Sequence, residues 1–248
     1  MKRKNKILLI GGSGTLGSSI IKSKSFKNLE SPTKKKLNLL KRDSIKKFLN
    51  KEYSLIINCA AMARMKECEK KPKKAINLNI LGTINLCREI LEYKNKFNKE
   101  IKLIHISTDG VYASTKGNYS EKSRLKPYNV YGWTKMWSEE FVKVLKNYII
   151  IRTRFFNKKK IRFNNAATDI FTSMIEVQEL VKKIKFLSSK DFVGVINVGG
   201  KRESDFKKYI KYQKNIKPFK RTEIVKNLNF KIAKDASMNL KLFKSLKK

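Results

Sequence analysis

The chain has 248 residues, and 41% of them are hydrophobic, which is enough to fill the core of one large domain and argues against global disorder. No apolar run approaches the ~18 residues of a membrane span, and three cysteines with a single histidine leave no disulfide framework and no metal-ligand pattern. A net charge of +39 would ordinarily indicate a nucleic-acid or membrane partner. The excess of basic residues is spread along the chain and is mostly lysine. We therefore interpret the charge as a bias of the overall composition and do not expect nucleic acid as the partner.

The basic start of the chain is followed by only four apolar residues, Ile7–Ile10, which run straight into glycines. A secretory signal needs a longer apolar region and a small-residue cleavage site, so a cytoplasmic location is expected. The same stretch is typical of a short buried parallel strand, and a helix is predicted from Leu16 to about Lys24. The next strand is only weakly indicated, because the segment from Asn28 to Lys36 contains a proline and three lysines.

Strand and helix patterns then alternate along the chain. The predicted strands are Leu55–Asn58, Ile101–Ile106, Tyr148–Arg152 and Val193–Val198. The predicted helices are one capped by Asp43, a long one from about Lys74 to Tyr93, and one from Tyr131 to Leu145. This alternation predicts an α/β fold with a Rossmann-type, doubly wound parallel sheet. We assign residues 1–153 to the main domain and residues 154–248 to a small, shortened carboxy-terminal lobe whose strands return to the main sheet.

The loop between the first predicted strand and the first predicted helix is rich in glycine. Its sequence is Gly11-Gly12-Ser13-Gly14-Thr15-Leu16-Gly17. Glycines at this spacing allow a tight turn, a close approach of the backbone to a pyrophosphate, and packing of the helix on the strand. The helix start adds free N–H groups and the positive end of a dipole. The loop therefore predicts a dinucleotide-binding site.

A second motif is the i, i+4 pair Tyr131 and Lys135, which a helix places on one face about one turn apart. A phenol with a pKa near ~10 is a poor acid–base catalyst, and a neighbouring ammonium favours the phenolate and brings that pKa closer to neutrality. A third motif is Ser107-Thr108 at the end of a predicted strand. These hydroxyls either hold a substrate carbonyl oxygen beside the phenol or cap the following turn.

In their order and spacing, these motifs resemble the extended short-chain dehydrogenase/reductase family, and within it the dTDP-4-dehydrorhamnose reductase branch. The similarity is strong over residues 6 to 153 and thin after that. Besides the glycine loop, it is carried by the segments Asn58–Ala61, Ser107–Tyr112, Asn129–Lys135, Ile151–Thr153, Asn197–Gly200 and Ala233–Leu240.

The resemblance implies roles for individual residues. Tyr131 would protonate the developing alkoxide, Lys135 would lower the pKa of that phenol and hold the nicotinamide ribose, and Thr108 would hydrogen-bond the substrate oxygen. Asp109 and Phe155 would lie on the substrate side. The cofactor would be bound by Tyr131 and Lys135 and surrounded by residues of four segments: Gly11, Ser13, Gly14, Thr15, Leu16 and Gly17; Thr33 and Lys34; Asn38 and Leu39; and Ala60, Ala61 and Met62.

The choice between NAD(H) and NADP(H) depends on the end of the second strand. Family members often have an acidic residue there, which binds the ribose 2′-OH of NAD. At about this place the present chain has Thr33 followed by three lysines, Lys34 to Lys36. Because cations in place of an acid favour a 2′-phosphate, we expect NADP(H) rather than NAD(H).

The expected function is reduction of a nucleotide-linked 4-keto-deoxysugar. A nucleotide-sugar epimerase is the nearest alternative, whereas a dehydratase would need an acidic pair that Thr108-Asp109-Gly110 does not provide. A non-catalytic, dinucleotide-binding regulatory subunit stays open because the substrate lobe is short, and a basic nucleic-acid-binding module is the least favoured interpretation. Family members dimerise through helices of the Rossmann domain, so a homodimer is one option.

Two further features are interpreted as structural. His105 lies inside a predicted strand and is expected to be a packed core residue rather than a catalyst. Trp133 and Trp137, four apart on the Tyr131 helix, are expected to pack at an interface or in the core rather than to bind a cofactor.

Overall fold

The structure, a computed structural model, describes residues 6–50, 52–161, 163–225 and 232–247. Of the basic amino-terminal segment, only Lys6 falls within these ranges. In this part of the chain, no helix is both long enough and apolar enough to cross a membrane.

Strands and helices alternate through most of the chain. The strands are β1 (Lys6–Ile10), β2 (Leu29–Glu30), β3 (Tyr53–Asn58), β4 (Lys102–Thr108), β5 (Tyr148–Thr153), β6 (Phe155–Phe156), β7 (Asn165–Ala167), β8 (Phe171–Thr172), β9 (Ile175–Glu176), β10 (Gly194–Asn197), β11 (Glu203–Ser204) and β12 (Lys217–Phe219). The helices are α1 (Thr15–Ser23), α2 (Arg42–Leu49), α3 (Met65–Lys70), α4 (Pro72–Ile76), α5 (Gly82–Phe97), α6 (Val130–Val142), α7 (Val177–Ser188), α8 (Asp205–Tyr209), α9 (Arg221–Val225) and α10 (Lys241–Ser245).

A parallel sheet forms the centre of the molecule. Within the described ranges it has six strands in the order β2-β1-β3-β4-β5-β10. β1 therefore lies inside the sheet, next to the edge strand β2. The later strands extend the sheet on the other side of β1. This arrangement confirms the predicted Rossmann-type α/β fold.

The sheet is covered on both faces because successive side chains of a strand point to opposite sides. In β1, Leu9 packs into a core with α1 and α7, whereas Leu8 packs into a second core with α2 and α5. Both leucines are completely buried. Strands covered on both faces read as continuous apolar runs, which is why these strands could be located from sequence.

Two helix predictions need correction. Asp43 does not cap α2, because that helix begins one residue earlier at Arg42, and Asp43 instead lies in its first turn, where a negative charge suits the helix dipole. The helix predicted from about Lys74 to Tyr93 is interrupted: α4 passes through a π-helical turn, Asn77–Leu81, into α5, which ends at Phe97.

The second half of the chain adds three short strand pairs beside the sheet. β6 pairs with β9, β7 with β12, and β8 with β11. Between them, α7 and β10 return to the main sheet, where β10 pairs with β5. The boundary that we assigned between residues 153 and 154 stays a prediction.

Candidate active site

The loop that joins β1 to α1 requires glycine at two positions. Gly11 has a φ of +87°, and a Cβ there would lie 2.6 Å from the backbone nitrogen of Ala60. A Cβ at Gly17 would lie 2.2 Å from the carbonyl oxygen of Gly11. Gly14 differs, because the nearest atom to a Cβ there would be 3.4 Å away. The loop is therefore packed tightly against the end of β3 but leaves open space at Gly14.

This open space lies at the amino terminus of α1. Gly14 is the N-cap residue and offers no side-chain cap, so the N–H groups of the first turn, at Thr15, Leu16 and Gly17, have no intrahelical acceptor. These donors, together with the positive end of the helix dipole, suit a phosphate group.

A cleft of about 630 Å³ lies beside the loop, at the carboxyl ends of β1 and β3. Among the residues that line it are nine that were predicted to hold a cofactor: Gly11, Ser13, Gly14, Thr33, Lys34, Asn38, Leu39, Ala60 and Ala61. The other four residues of the four predicted segments lie elsewhere, and Tyr131 and Lys135 are on α6. Thr15 lines a second cleft, Leu16 and Gly17 are buried behind the loop, and Met62 is held by Asn79 through its backbone N–H, at 2.8 Å from Asn79 Oδ1.

The far end of this cleft is basic. β2 does end in an acid, Glu30, but its carboxylate accepts a hydrogen bond from the Tyr53 hydroxyl at 2.6 Å, and Glu30 is not among the cleft residues. Lys34 and Lys35 line the cleft, and Lys36 does not. Glu30 was not predicted from the sequence because a two-residue strand gives almost no apolar pattern.

The second motif lies at the start of α6. The Asn129 side chain caps this helix by accepting the N–H of Gly132 at 2.8 Å. A Cβ at Gly132 would lie 2.3 Å from the carbonyl oxygen of Gly110, so α6 touches the turn that follows β4. Only glycine permits this approach, which brings Tyr131 next to Thr108 at the end of β4.

The Tyr131 phenol lies beside the Thr108 hydroxyl. Burial raises the pKa of the Tyr131 phenol, and the negative charge of Asp109 acts in the same direction, whereas the hydrogen bond with the Thr108 hydroxyl opposes the shift. The phenol is therefore protonated at neutral pH. Thr108 Oγ1 accepts the N–H of Gly110 at 3.1 Å and donates to Asp109 Oδ1 at 3.2 Å, so this hydroxyl caps the turn that follows β4.

Lys135 lies one turn after Tyr131 and is almost completely buried. Its Nζ lies 2.9 Å from Nε2 of His105, which is fully buried in β4. Burial lowers the pKa of Lys135 to about 8, against the opposing effect of Glu139. The sequence had suggested that Lys135 lowers the pKa of Tyr131, but in the structure that pKa is raised and the lysine faces the histidine.

Asp109, which was expected on the substrate side, is fully buried and forms an ion pair with Arg154 at 2.8 Å. Burial raises the pKa of Asp109, and the arginine opposes this shift. Asp205 of α8 faces the same guanidinium, and burial raises its pKa to about 6. Sequence reasoning missed Arg154 and Asp205, since neither belongs to a local motif.

A second cleft, of about 650 Å³, opens on the other side of the glycine loop. Ser13 lines both clefts, and Phe155 lines the second. The other residues that the second half of the chain contributes to its lining are Phe156, Asn157, Lys158, Lys159, Lys160, Ile161, Phe163, Glu176, Gln178 and Tyr209. In the described part of the chain, no group of three or more histidine, cysteine, aspartate or glutamate side chains is arranged to hold a metal ion.

A buried polar network supports the site from behind. Arg152 of β5 and Glu139 of α6 form an ion pair at 2.6 Å, and both side chains are at most 2% exposed. Glu139 also accepts the hydroxyl of Ser107, the residue before Thr108. On the other side, Arg152 donates to Tyr112, whose hydroxyl donates to Asn197 of β10 at 2.8 Å. The helix that carries Lys135 is thus tied to the strand that carries Thr108.

Comparison with known proteins shows relatives for most of the chain. The family model described as the RmlD substrate binding domain matches residues 5–184. The spore coat polysaccharide biosynthesis protein SpsK of Bacillus subtilis is 26% identical over 191 residues, which are 75% of this chain and 63% of that protein. Methionine adenosyltransferase 2 subunit beta of Xenopus tropicalis is 31% identical over 55% of this chain and 42% of its own length. The matched region thus covers less than two thirds of these curated relatives.

Solved structures share the fold over nearly the whole chain. The crystal structure of dTDP-4-dehydrorhamnose reductase from Bacillus anthracis in complex with NADP superimposes with a TM-score of 0.86 at 23% identity, covering 98% of this chain and 92% of that one. A dTDP-4-dehydrorhamnose reductase described as hypothetical, from Sulfolobus tokodaii, gives a TM-score of 0.78 at 25% identity and covers 97% and 94% of the two chains. With the family model spanning most of its length, the chain belongs to the RmlD substrate binding domain family, in the extended short-chain dehydrogenase/reductase group.

Proposed function

We propose that the chain is an NADP(H)-dependent reductase of a nucleotide-linked 4-keto-deoxysugar, like the dTDP-4-dehydrorhamnose reductases that it resembles. The observation that carries the proposal is the placement of the Tyr131 phenol beside Thr108, with Lys135 one turn further along α6. The relatives support the choice of substrate class, since a dTDP-4-dehydrorhamnose reductase of Mycolicibacterium smegmatis is 26% identical over 153 residues.

The cleft beside the glycine loop fits a dinucleotide. Its volume of about 630 Å³ lies within the range of small-molecule sites. The open space at Gly14 adjoins the free N–H groups of α1, which suits the pyrophosphate. Leu39 and Ala60 would contact the adenine side, and Lys34 and Lys35 stand where a 2′-phosphate would need cations.

Each side chain at the site has a different role in the proposed reaction. NADPH, when bound, supplies the hydride. Thr108 donates its hydroxyl to the ketone oxygen of the substrate and so polarises the carbonyl. Tyr131 then transfers its phenolic proton to that oxygen as negative charge develops on it. The phenol is protonated at neutral pH, as a group that must give a proton has to be, although burial makes it a weaker acid than a free tyrosine. Lys135 would hold the nicotinamide ribose.

Cofactor binding can be tested through stability. We expect NADPH to raise the melting temperature of the wild-type protein, corresponding to about 2.7 kcal/mol at a hundredfold excess over Kd. Gly14→Asp should fold, since a Cβ is tolerated there, but should lose the shift because a carboxylate would repel the pyrophosphate. Ser25→Asp, an exposed position outside the cleft, is the charge-matched control. An unchanged shift in Gly14→Asp would contradict the site, and no shift in the wild type would contradict the dinucleotide itself.

Cofactor preference is a separate test. Replacing Lys34 and Lys35 together by Glu should weaken NADPH binding by about tenfold or more, through loss of charge-assisted hydrogen bonds, and should affect NADH much less. Lys36→Glu, which makes the same kind of charge change outside the cleft, should leave the ratio of the two Kd values unchanged. Equal effects on NADPH and NADH would remove the argument for a 2′-phosphate site.

A second candidate function is that of a dinucleotide-binding subunit. The observation that favours it is the identity of 31% with methionine adenosyltransferase 2 subunit beta, whose name marks a subunit of another enzyme. Steady oxidation of NADPH by a nucleotide-linked 4-keto-deoxysugar would favour the reductase, and isomerisation of such a sugar without net NADPH use would favour an epimerase. Cofactor binding with neither reaction would favour the subunit.

An exposed apolar surface on α5 and α6 favours self-association. Trp133 and Trp137 are 47% and 48% exposed, and Leu91 on the neighbouring helix is 36% exposed. The two tryptophans are thus not in the core, and large apolar side chains exposed one turn apart on one helix are typical of an interface. We propose an isologous homodimer through this face, because the same patch on a second copy would match it.

Light scattering should show a dimer, and Trp137→Glu should dissociate it. The control Val193→Glu, at a position that is 48% exposed elsewhere, should leave the dimer intact. A wild-type monomer would contradict the proposal.

A further inference from the structure

His105 is the single histidine of the chain, and its ring is completely buried in β4. Three polar groups surround it. Nδ2 of Asn58 lies 3.3 Å from Nδ1 of the ring, while Nζ of Lys135 and Oγ of Ser138 lie 2.9 Å and 3.2 Å from Nε2. The ring therefore lies between the end of β3 and the face of α6 that carries Lys135.

Asn58 determines which ring nitrogen carries the proton. Its Oδ1 accepts the backbone N–H of Ala60 at 3.1 Å, which fixes the carboxamide so that the NH₂ group faces the ring. An amide NH₂ can only donate, so Nδ1 of His105 accepts, and the proton of the neutral ring is on Nε2. The ring is neutral because burial, and then the charge of Lys135, hold its pKa well below 6.5.

This tautomer has a consequence for Lys135. With a proton on Nε2, the contact of 2.9 Å is a hydrogen bond only when the lysine is an uncharged amine, which accepts it. An ammonium would place one N–H group against another, and the ring proton would then go to Ser138 Oγ alone. The ring therefore favours loss of the lysine proton, in the same direction as burial.

We infer that His105, oriented by Asn58, is a positioning residue for Lys135. The ring holds the side-chain nitrogen of Lys135 in place and sets the charge that this lysine brings to the site. The significance of Lys135 rests on the proposed function, whereas its contact with the ring does not. Other charged or titratable groups face the lysine from the neighbouring elements. Glu139 on α6 favours the ammonium but is shared with Arg152, and Cys59 after β3 acts in the same sense as Glu139.

The presence of one histidine makes the inference directly measurable. Untagged protein labelled with ¹⁵N only in histidine gives a single pair of ring nitrogens in NMR spectra, with no cofactor or substrate present. Because Lys135 loses its proton only near pH 8, we expect the pattern of a neutral ring protonated on Nε2 above that pH. We also expect a change with a midpoint near pH 8, as Lys135 loses its proton, and this change should be absent in Lys135→Met.

A second variant tests the orientation by Asn58 without removing the lysine. In Asn58→Asp the carboxylate accepts from Nδ1, the ring proton moves there, and Nε2 accepts from the ammonium, so the midpoint should move to higher pH. Ser138→Ala removes the other neighbour of Nε2 and should keep the wild-type tautomer. A wild-type proton on Nδ1 above about pH 8, an imidazolium at neutral pH, or a midpoint that persists in Lys135→Met would overturn the inference. Because no cofactor is used, these outcomes are independent of whether the reductase proposal holds.

Discussion

Tyr131→Phe is expected to lower kcat for reduction of the keto-sugar by a factor of about 10²–10⁴, the usual contribution of a positioned general acid. The substitution removes only the hydroxyl that donates the proton, and the ring on α6 still packs beside Thr108. Binding of NADPH should therefore stay close to that of the wild type. The measurement is the steady-state rate of NADPH oxidation, with the Kd for NADPH measured separately.

The matched control for this variant is Tyr212→Phe, which removes a phenol that is 47% exposed on the second half of the chain. It should leave both kcat and Kd unchanged. If Tyr131→Phe kept more than about a tenth of the wild-type kcat, another group would have to supply the proton. If it instead lost NADPH binding together with activity, the phenol would be part of the cofactor site rather than the acid.

Arg152→Met is expected to have the largest effect on stability, about 3–5 kcal/mol in the free energy of unfolding. The substitution would leave the fully buried carboxylate of Glu139 without its partner at 2.6 Å, and would also remove the donor to Tyr112. Equilibrium unfolding in urea, followed by circular dichroism, measures the effect.

Two comparisons separate the ion pair from general packing. The double variant Arg152→Met, Glu139→Leu should be more stable than Arg152→Met alone, because no buried charge is left uncompensated. Arg64→Met breaks an exposed pair with Glu67, with side chains 67% and 50% exposed, and should cost less than about 1 kcal/mol. Equal stability of the single and double variants would show that the charge of Glu139 is not what destabilises the protein.

The parts of the fold and site that could be predicted are those recorded in local sequence. β1, the glycine loop and α1 follow one another within eighteen residues, so an apolar run, a glycine spacing and a helical pattern were enough to place them. The same holds for Tyr131 and Lys135, whose spacing fixes their relative position on α6. A helical apolar period does not distinguish an α-turn from a π-turn, however, so the interruption at Asn77–Leu81 was not predicted.

The remaining features depend on contacts between distant segments. Arg154 meets Asp109 across forty-five positions, and Arg152 reaches Tyr112 across forty. Neither pair has a spacing that a helix or a strand would impose. For Lys135, the sequence offered the phenol one turn away as the natural partner, whereas packing of α6 on β4 turned the amine toward His105. Tertiary packing determines these contacts, and no local sequence pattern indicates them.

The edge strand β10 affects how the protein can be made. During synthesis, β5 is complete more than forty residues before β10 emerges, and until then its apolar residues Ile149–Ile151 form an open parallel edge. An unpaired apolar edge is a template for aggregation, and parallel pairing over such a separation is slow. Fragments that end before Asn197 would keep this edge permanently open, so the strands formed by residues 6–153 depend on one strand from the second half of the chain.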